Sequence, residues 1–311
     1  MKKTLIDRLK KQQYGLVGSH SGVKLCHWMK QSLLHKRNCY KQDFYGIQSH
    51  RCLQMTPTVN HCNHNCLFCW RYQGFTEHVI EKPDDPSFIL EQSIKEQQRL
   101  ITGFKGDERC DLKRWEEANK PNMVACSLSG EPTLYPRLGE FFELCHKKGM
   151  TTFLVSNGTN PEVLKEMDPL PDQLYISLIA PTKETYKKLC VPYITNGWEK
   201  IQETLELLPS LDTRTVIRQT LIKDWNFNHK YIENYAKFIK KAEPLFVEPK
   251  GYVFVGSSRQ RMNLSNMPSH QEIKEFGLKL SNEIGYEFIN EKKDSRVVLL
   301  CKVKKPKRIN K

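Results

Sequence analysis

The sequence predicts an α/β fold, an open, partial (β/α)6 TIM-like barrel with additions at both ends. From about residue 55 to 285, short apolar runs alternate with amphipathic segments in six strand–helix units. Parallel strands require crossover connections, usually helical, so this alternation implies a parallel sheet. Six units are too few for a closed eight-fold barrel. Residues 1–50 lack the alternation and read as a basic, mainly helical N-terminal extension. Residues 51–285 form the core, and 286–311 add one or two strands and a basic tail.

The first strand is expected through Gln54–Val59. The others are expected at 123–128, 151–156, 173–179, 214–222 and 246–255, all rich in β-branched or large apolar residues. Between them, Leu138, Phe141, Phe142 and Cys145 mark one helical face, Ile232, Tyr235, Ala236 and Ile239 a second, and Ile273, Phe276, Gly277 and Leu280 a third. Segment 104–122, charged and bounded by Gly103, Gly106 and Pro121, reads as an inserted loop.

Charge is unevenly spread. The net formal charge is +14, yet residues 1–51 carry eleven Lys/Arg against Asp7 and Asp43, and residues 301–311 carry six against none. A near-neutral body with two cationic ends suits a polyanionic partner such as nucleic acid, bound by displacing phosphate counterions. No apolar stretch approaches the roughly 20 residues of a membrane span, and no signal-peptide core follows the basic start. The expected location is the cytoplasm.

Eleven cysteines cannot all pair internally, and in an intracellular chain they point to metal sites, catalysis or buried thiols. Cys62, Cys66 and Cys69 fall on one loop directly after the first predicted strand. Structural zinc normally takes four ligands; His61 or His64 could complete such a set, but neither has the usual spacing. A four-iron cluster held by three thiolates leaves one iron open to a small molecule. Upstream, Cys26, Cys39 and Cys52 recur at intervals of thirteen in a polar, basic segment. They are candidates for a second cluster whose open iron acts as a Lewis acid.

Cys62-x3-Cys66-x2-Cys69, with Phe68 before the last cysteine, resembles the motif of the radical S-adenosylmethionine (SAM) superfamily. The resemblance implies a 4Fe-4S cluster that binds SAM and releases a 5′-deoxyadenosyl radical, on a partial (β/α)6 barrel. It also implies that Ser129, Gly130 and Glu131 meet the SAM amino group, and that Ser156, Asn157 and Ser177 contact its carboxylate or ribose. Gly and Asn at these positions also suit ordinary turns.

The six-cysteine pattern, the basic tail and Val247-Glu248-Pro249-Lys250-Gly251-Tyr252 together resemble the archaeal 4-demethylwyosine synthase family of wybutosine biosynthesis. That resemblance implies a tRNA-modifying lyase with two 4Fe-4S clusters and SAM, fed by an external electron donor. The radical would take hydrogen from the N1-methyl group of N1-methylguanosine-37 in tRNA(Phe). The carbon radical would add to pyruvate, which contributes two carbons as its carboxylate is lost. Lys41, two residues after Cys39, is the candidate Schiff-base lysine, with Lys250 as its rival. Tyr40, Phe44, Tyr45, Trp70 and Tyr72 are candidates to stack on an extruded base, and Lys302–Arg308 to contact tRNA backbone. Two other classes fit part of the pattern: a glycyl-radical activase with a second small cluster, and a non-catalytic zinc-stabilised RNA-binding protein.

Overall fold

The computed structural model describes residues 1–309. Ten strands form one mixed sheet: β1 (Gly15–Val17), β2 (Ser21–Val23), β3 (Cys52–Thr56), β4 (Met123–Cys126), β5 (Thr151–Ser156), β6 (Gln173–Ser177), β7 (Arg214–Leu221), β8 (Phe246–Gly251), β9 (Glu287–Lys292) and β10 (Val297–Cys301). The spatial order is β1-β2-β3-β4-β5-β6-β7-β8-β10-β9, with the two outermost strands unpaired to each other. Strands β3 to β8 run parallel in sequence order. The hairpin β1–β2 and the pair β10–β9 extend the sheet antiparallel at its two ends.

The core follows the period-two geometry of a strand. Val124, Cys126, Leu154, Leu174, Ile176, Ile217 and Val247 face the crossover helices and pack with the helical faces expected from sequence. Their neighbours Met123, Ala125, Phe153, Tyr175, Val216 and Phe246 form a second buried layer on the opposite face. Tyr40, Phe44, Tyr45 and Ile47 fill that layer. The first three are therefore core residues, unavailable to stack on a base.

The six core strands stand where the apolar runs place them, and most end short of the expected boundary. The first stops at Thr56 because Pro57 has no N–H to continue the ladder. The last stops at Gly251, beyond which Val253 and Val255 are exposed. Two expectations need correction. Segment 104–122 is not a plain loop: it contains a helix, Leu112–Ala118, whose first turn is capped by the Asp111 carboxylate accepting from Arg114 N at 3.1 Å. Only Ala118 of that helix is buried, so no apolar periodicity betrays it. The N-terminal segment contains the hairpin β1–β2 as well as its three helices.

The tail is also placed. Cys301 pairs with Phe246, the first residue of β8. The Arg214 guanidinium, at the start of β7, donates to Lys307 O at 2.7 Å, and Ile309 N donates to Tyr45 O at 2.9 Å. Residues 302–309 therefore lie along the N-terminal edge of the parallel strands.

Candidate active site

At the opposite, carboxyl edge, four consecutive strands deliver polar loops to one cavity of about 210 Å3. This is the edge at which parallel α/β sheets place their ligand sites. The loop after β3 brings Cys62, Cys66 and Cys69; β4 leads into Ser129, Gly130 and Glu131; β5 ends in Ser156 and Asn157; β6 ends in Ser177. All nine line the cavity.

The cysteine loop is held from several sides. Gly130 sits at φ +72°, and a Cβ there would lie 1.8 Å from Thr58 O and 2.5 Å from His61 O. Only glycine permits that approach. Glu131 N donates to His61 O at 2.8 Å. Asn157 Nδ2 donates to Asn63 Oδ1 at 2.7 Å, His64 Nε2 bonds Tyr186 OH at 2.7 Å, and Leu67 N donates to Leu189 O at 3.0 Å. Arg261, beyond β8, donates to the carbonyls of Leu67 and Cys69.

Glu131 is fully buried, and its carboxylate accepts from Ser156 Oγ at 2.8 Å, Thr133 Oγ1 at 2.7 Å and Asn157 N at 2.7 Å. Burial raises its pKa, with those donors opposing. The predicted SAM contacts Glu131, Ser156 and Asn157 are thus one network bracing the loop junctions. Burial pushes the Cys62 thiol up to about 12, while the Cys66 thiol is raised first by the hydrogen bond between Cys66 and Cys190 and then by burial.

Sequence reasoning missed Arg71, Cys190 and Arg261. Arg71 is buried, and although burial opposes its charge, Cys69 and Cys62 raise its pKa. It sits two residues after the motif, a signal that was there to find. Cys190 comes from the end of helix Lys183–Cys190, and donor atoms of His64, Cys66 and Cys190 lie within 4.8 Å of one another. Nothing in the linear sequence joins it to the loop.

The upstream cysteines meet at the other end of β3. Cys26 caps helix His27–His35, its sulfur accepting from Met29 N at 3.2 Å; Cys39 precedes helix Tyr40–Tyr45; Cys52 opens β3. All three are half-buried. Burial and then Cys39 raise Cys26 to about 11, and burial and then Cys26 raise Cys52 to about 12, so the three share one electrostatic neighbourhood.

Lys41 enters the same neighbourhood, with Nζ 4.7 Å from the Phe153 ring centroid and 4.5 Å from that of Tyr175. Burial, then the nearby Arg218 charge, lowers its pKa. Lys250 is lowered to about 8, by burial first, and donates to Ser295 O at 2.6 Å. Beside them lies a buried network that sequence did not reveal: Glu248 accepts from Arg218 at 2.8 Å, Tyr45 OH at 2.5 Å and Tyr40 OH at 3.1 Å. Of the remaining aromatic candidates, Trp70 stacks on Tyr14 at 6.2 Å and Tyr72 lies beneath Arg8 at 3.7 Å.

Residues 56–239, more than half of the chain, match the radical SAM superfamily, and residues 241–302 match a wyosine base formation family. An S-adenosyl-L-methionine-dependent tRNA 4-demethylwyosine synthase of Pyrococcus horikoshii is 53% identical over 308 residues, covering 97% of this chain and 90% of that one. One of Methanocaldococcus jannaschii is 41% identical, covering 94% of each. The chain belongs to the tRNA 4-demethylwyosine synthase family of radical SAM proteins. Membership implies SAM and a 4Fe-4S cluster, and it displaces both the activase and the zinc-protein alternatives. In this family, a TYW1 structure with a lysine-pyruvate adduct bound superposes at a TM-score of 0.88, with 39% identity over 97% of this chain and 96% of that one. A crystal structure of archaeal TYW1 gives 0.80 at 36% identity and the same coverages. Among the described residues, no helix is long and apolar enough to cross a membrane.

Proposed function

We propose that the chain condenses N1-methylguanosine-37 of tRNA(Phe) with pyruvate to form 4-demethylwyosine, as a cytoplasmic lyase supplied with electrons by an external donor. Relatives named for tRNA 4-demethylwyosine synthesis support the product and the tRNA. The lysine-pyruvate adduct in the related TYW1 supports the second substrate. The proposed organisation is residues 1–50 supplying second-cluster cysteines, 51–285 the radical SAM core curled as a partial (β/α)6 barrel, and 286–311 the closing strands and tail. A cavity lined from successive strand ends supports that curvature.

Three soft thiol donors on one braced loop fit a 4Fe-4S cluster held by Cys62, Cys66 and Cys69. When bound there with SAM, the cluster supplies a deoxyadenosyl radical. Ser129, Gly130, Glu131, Ser156, Asn157 and Ser177 then orient the cofactor and shape its pocket. Cys26, Cys39 and Cys52 fit a second 4Fe-4S cluster, which supplies a Lewis-acid site for a small oxyanion.

The position of Lys41 carries the reading. Phe153 and Tyr175, against which its amine lies, are each followed two residues on by a residue lining the cavity, Val155 and Ser177. Two residues span about 6.6 Å of strand, so the amine sits just beneath the radical site and beside the second cysteine set. Its Nζ has no hydrogen bond or ion pair among the described residues, whereas Lys250 is engaged by Ser295 O. A free amine can attack the pyruvate ketone and expel water as the imine forms.

The test is borohydride trapping of the anaerobic holoprotein with pyruvate, followed by peptide mass mapping. One reduced pyruvate is expected on Lys41, lost in Lys41→Arg and kept in Lys250→Arg. Adduct on Lys250 alone would transfer the role to that residue. Mass analysis of the base after incubation with SAM, reductant, pyruvate and N1-methylguanosine-containing tRNA tests the overall reaction.

A further inference from the structure

A group of cations remains that neither cysteine site uses. Lys10, Lys24, Lys30 and Arg99 line a groove of about 740 Å3 at the β1 edge of the sheet. Helices Lys3–Lys11, His27–His35 and Pro86–Ile101 contribute its walls. One carboxylate faces it, Glu96, and Arg99 already holds that group at 2.7 Å. Lys30 donates to Gln13 Oε1 at 3.0 Å. The ammonium groups of Lys10 and Lys24 have no hydrogen bond or ion pair among the described residues. Three lysines, Lys10, Lys24 and Lys30, thus share the groove without a carboxylate partner, a surface that gains from an incoming polyanion.

The groove is connected to the radical site. Lys24 Nζ lies 4.9 Å from the Tyr14 ring and 5.1 Å from the Trp70 ring, and those two rings are stacked. Trp70 immediately follows Cys69, and Tyr14 packs in one apolar cluster with Leu128, which lines the cavity. The basic groove is thus separated from the cysteine loop by one aromatic pair. The C-terminal tail, which the charge pattern first suggested for this task, lies along the opposite edge of the strands.

We propose that this groove binds the sugar-phosphate backbone of the substrate tRNA flanking the modified base. The proposal rests on the tRNA reading above and adds the surface that holds the RNA. Its ligand is a phosphodiester chain, because three lysines without a carboxylate partner along an open groove match repeated single charges better than one small anion.

The test is a titration of the full-length holoprotein with N1-methylguanosine-containing tRNA(Phe) across a salt series. Each phosphate contact contributes roughly 0.9 to the slope of log K against log salt. Lys10→Ala/Lys24→Ala/Lys30→Ala is expected to lower the slope by about 2 to 3 and to weaken binding at moderate salt by about tenfold or more. Iron content and pyruvate trapping should stay unchanged, showing that the fold is intact. The single variants Lys24→Gln and Lys10→Ala should each lower the slope by about 0.9, and deletion of residues 302–311 should leave it unaltered. A tRNA-binding parent whose slope survives the triple substitution overturns the groove and leaves the reaction standing. A parent that binds no tRNA overturns the proposed function, and the groove falls with it.

Discussion

Gly130 shows how much of the site one backbone position carries. Its left-handed φ and the 1.8 Å that would separate a Cβ from Thr58 O leave no room for a side chain. The obstruction is backbone, which cannot rotate away. Gly130→Ala is therefore expected to destabilise the protein by on the order of 3 kcal/mol and to abolish SAM binding. Denaturant unfolding and a binding titration would show both. An unchanged unfolding midpoint would refute the packing argument. The position of the glycine was legible because it lies in a short motif directly after a strand. Arg261 and Cys190 were not, since they reach the loop from nearly 200 and more than 120 residues away along the chain. The Glu131 carboxylate was only half legible: its position was marked, but its occupation by Ser156, Thr133 and Asn157 appears only in the fold.

Elements were legible in proportion to how much apolar surface they bury. Strands such as β4, buried along its whole length, stand out in the sequence. The hairpin β1–β2 has three residues per strand, with Gly15 and Gly22 among them, too short for any period to register. Its docking depends instead on His20, whose Nδ1 donates to Pro57 O at 2.5 Å while Nε2 accepts from Asp84 N at 2.9 Å. That pair of bonds requires the neutral ring, and burial holds the pKa of His20 below its ordinary 6.5, against the pull of Pro57 O and Asp84. Below pH 6.5 the unfolded chain takes up a proton that the native ring resists, so ν_U exceeds ν_N and stability falls as pH drops toward the lowered pKa. Above 6.5 the contribution is complete and flat. Unfolding midpoints should therefore fall from pH 7.5 to about 5.5, and His20→Gln, able to make both bonds without titrating, should show a shallower decline. An equal decline in the two proteins would remove His20 from the account.

At the scale of the molecule, the sheet separates two thiol sets that the sequence places only ten residues apart. Cys52 opens β3 at one edge and the Cys62–Cys69 loop follows it at the other, with about 13 Å of strand between the ends of that element. Each set has its own support: Cys26 and Cys39 stand at the starts of two N-terminal helices, whereas the loop is tied to β4, β5 and helix Lys183–Cys190. Neither set of braces uses the other, so the two sites should load independently. Cys26→Ala/Cys39→Ala/Cys52→Ala is expected to keep about four of about eight irons per chain, together with SAM binding, while losing pyruvate trapping. Cys62→Ala/Cys66→Ala/Cys69→Ala should keep the other four and the trapping, and lose SAM binding. Loss of all iron from either variant would mean that one site is built on the other. The amine of Lys41, lying between them against Phe153 and Tyr175, would then be responding to a single composite centre rather than joining two.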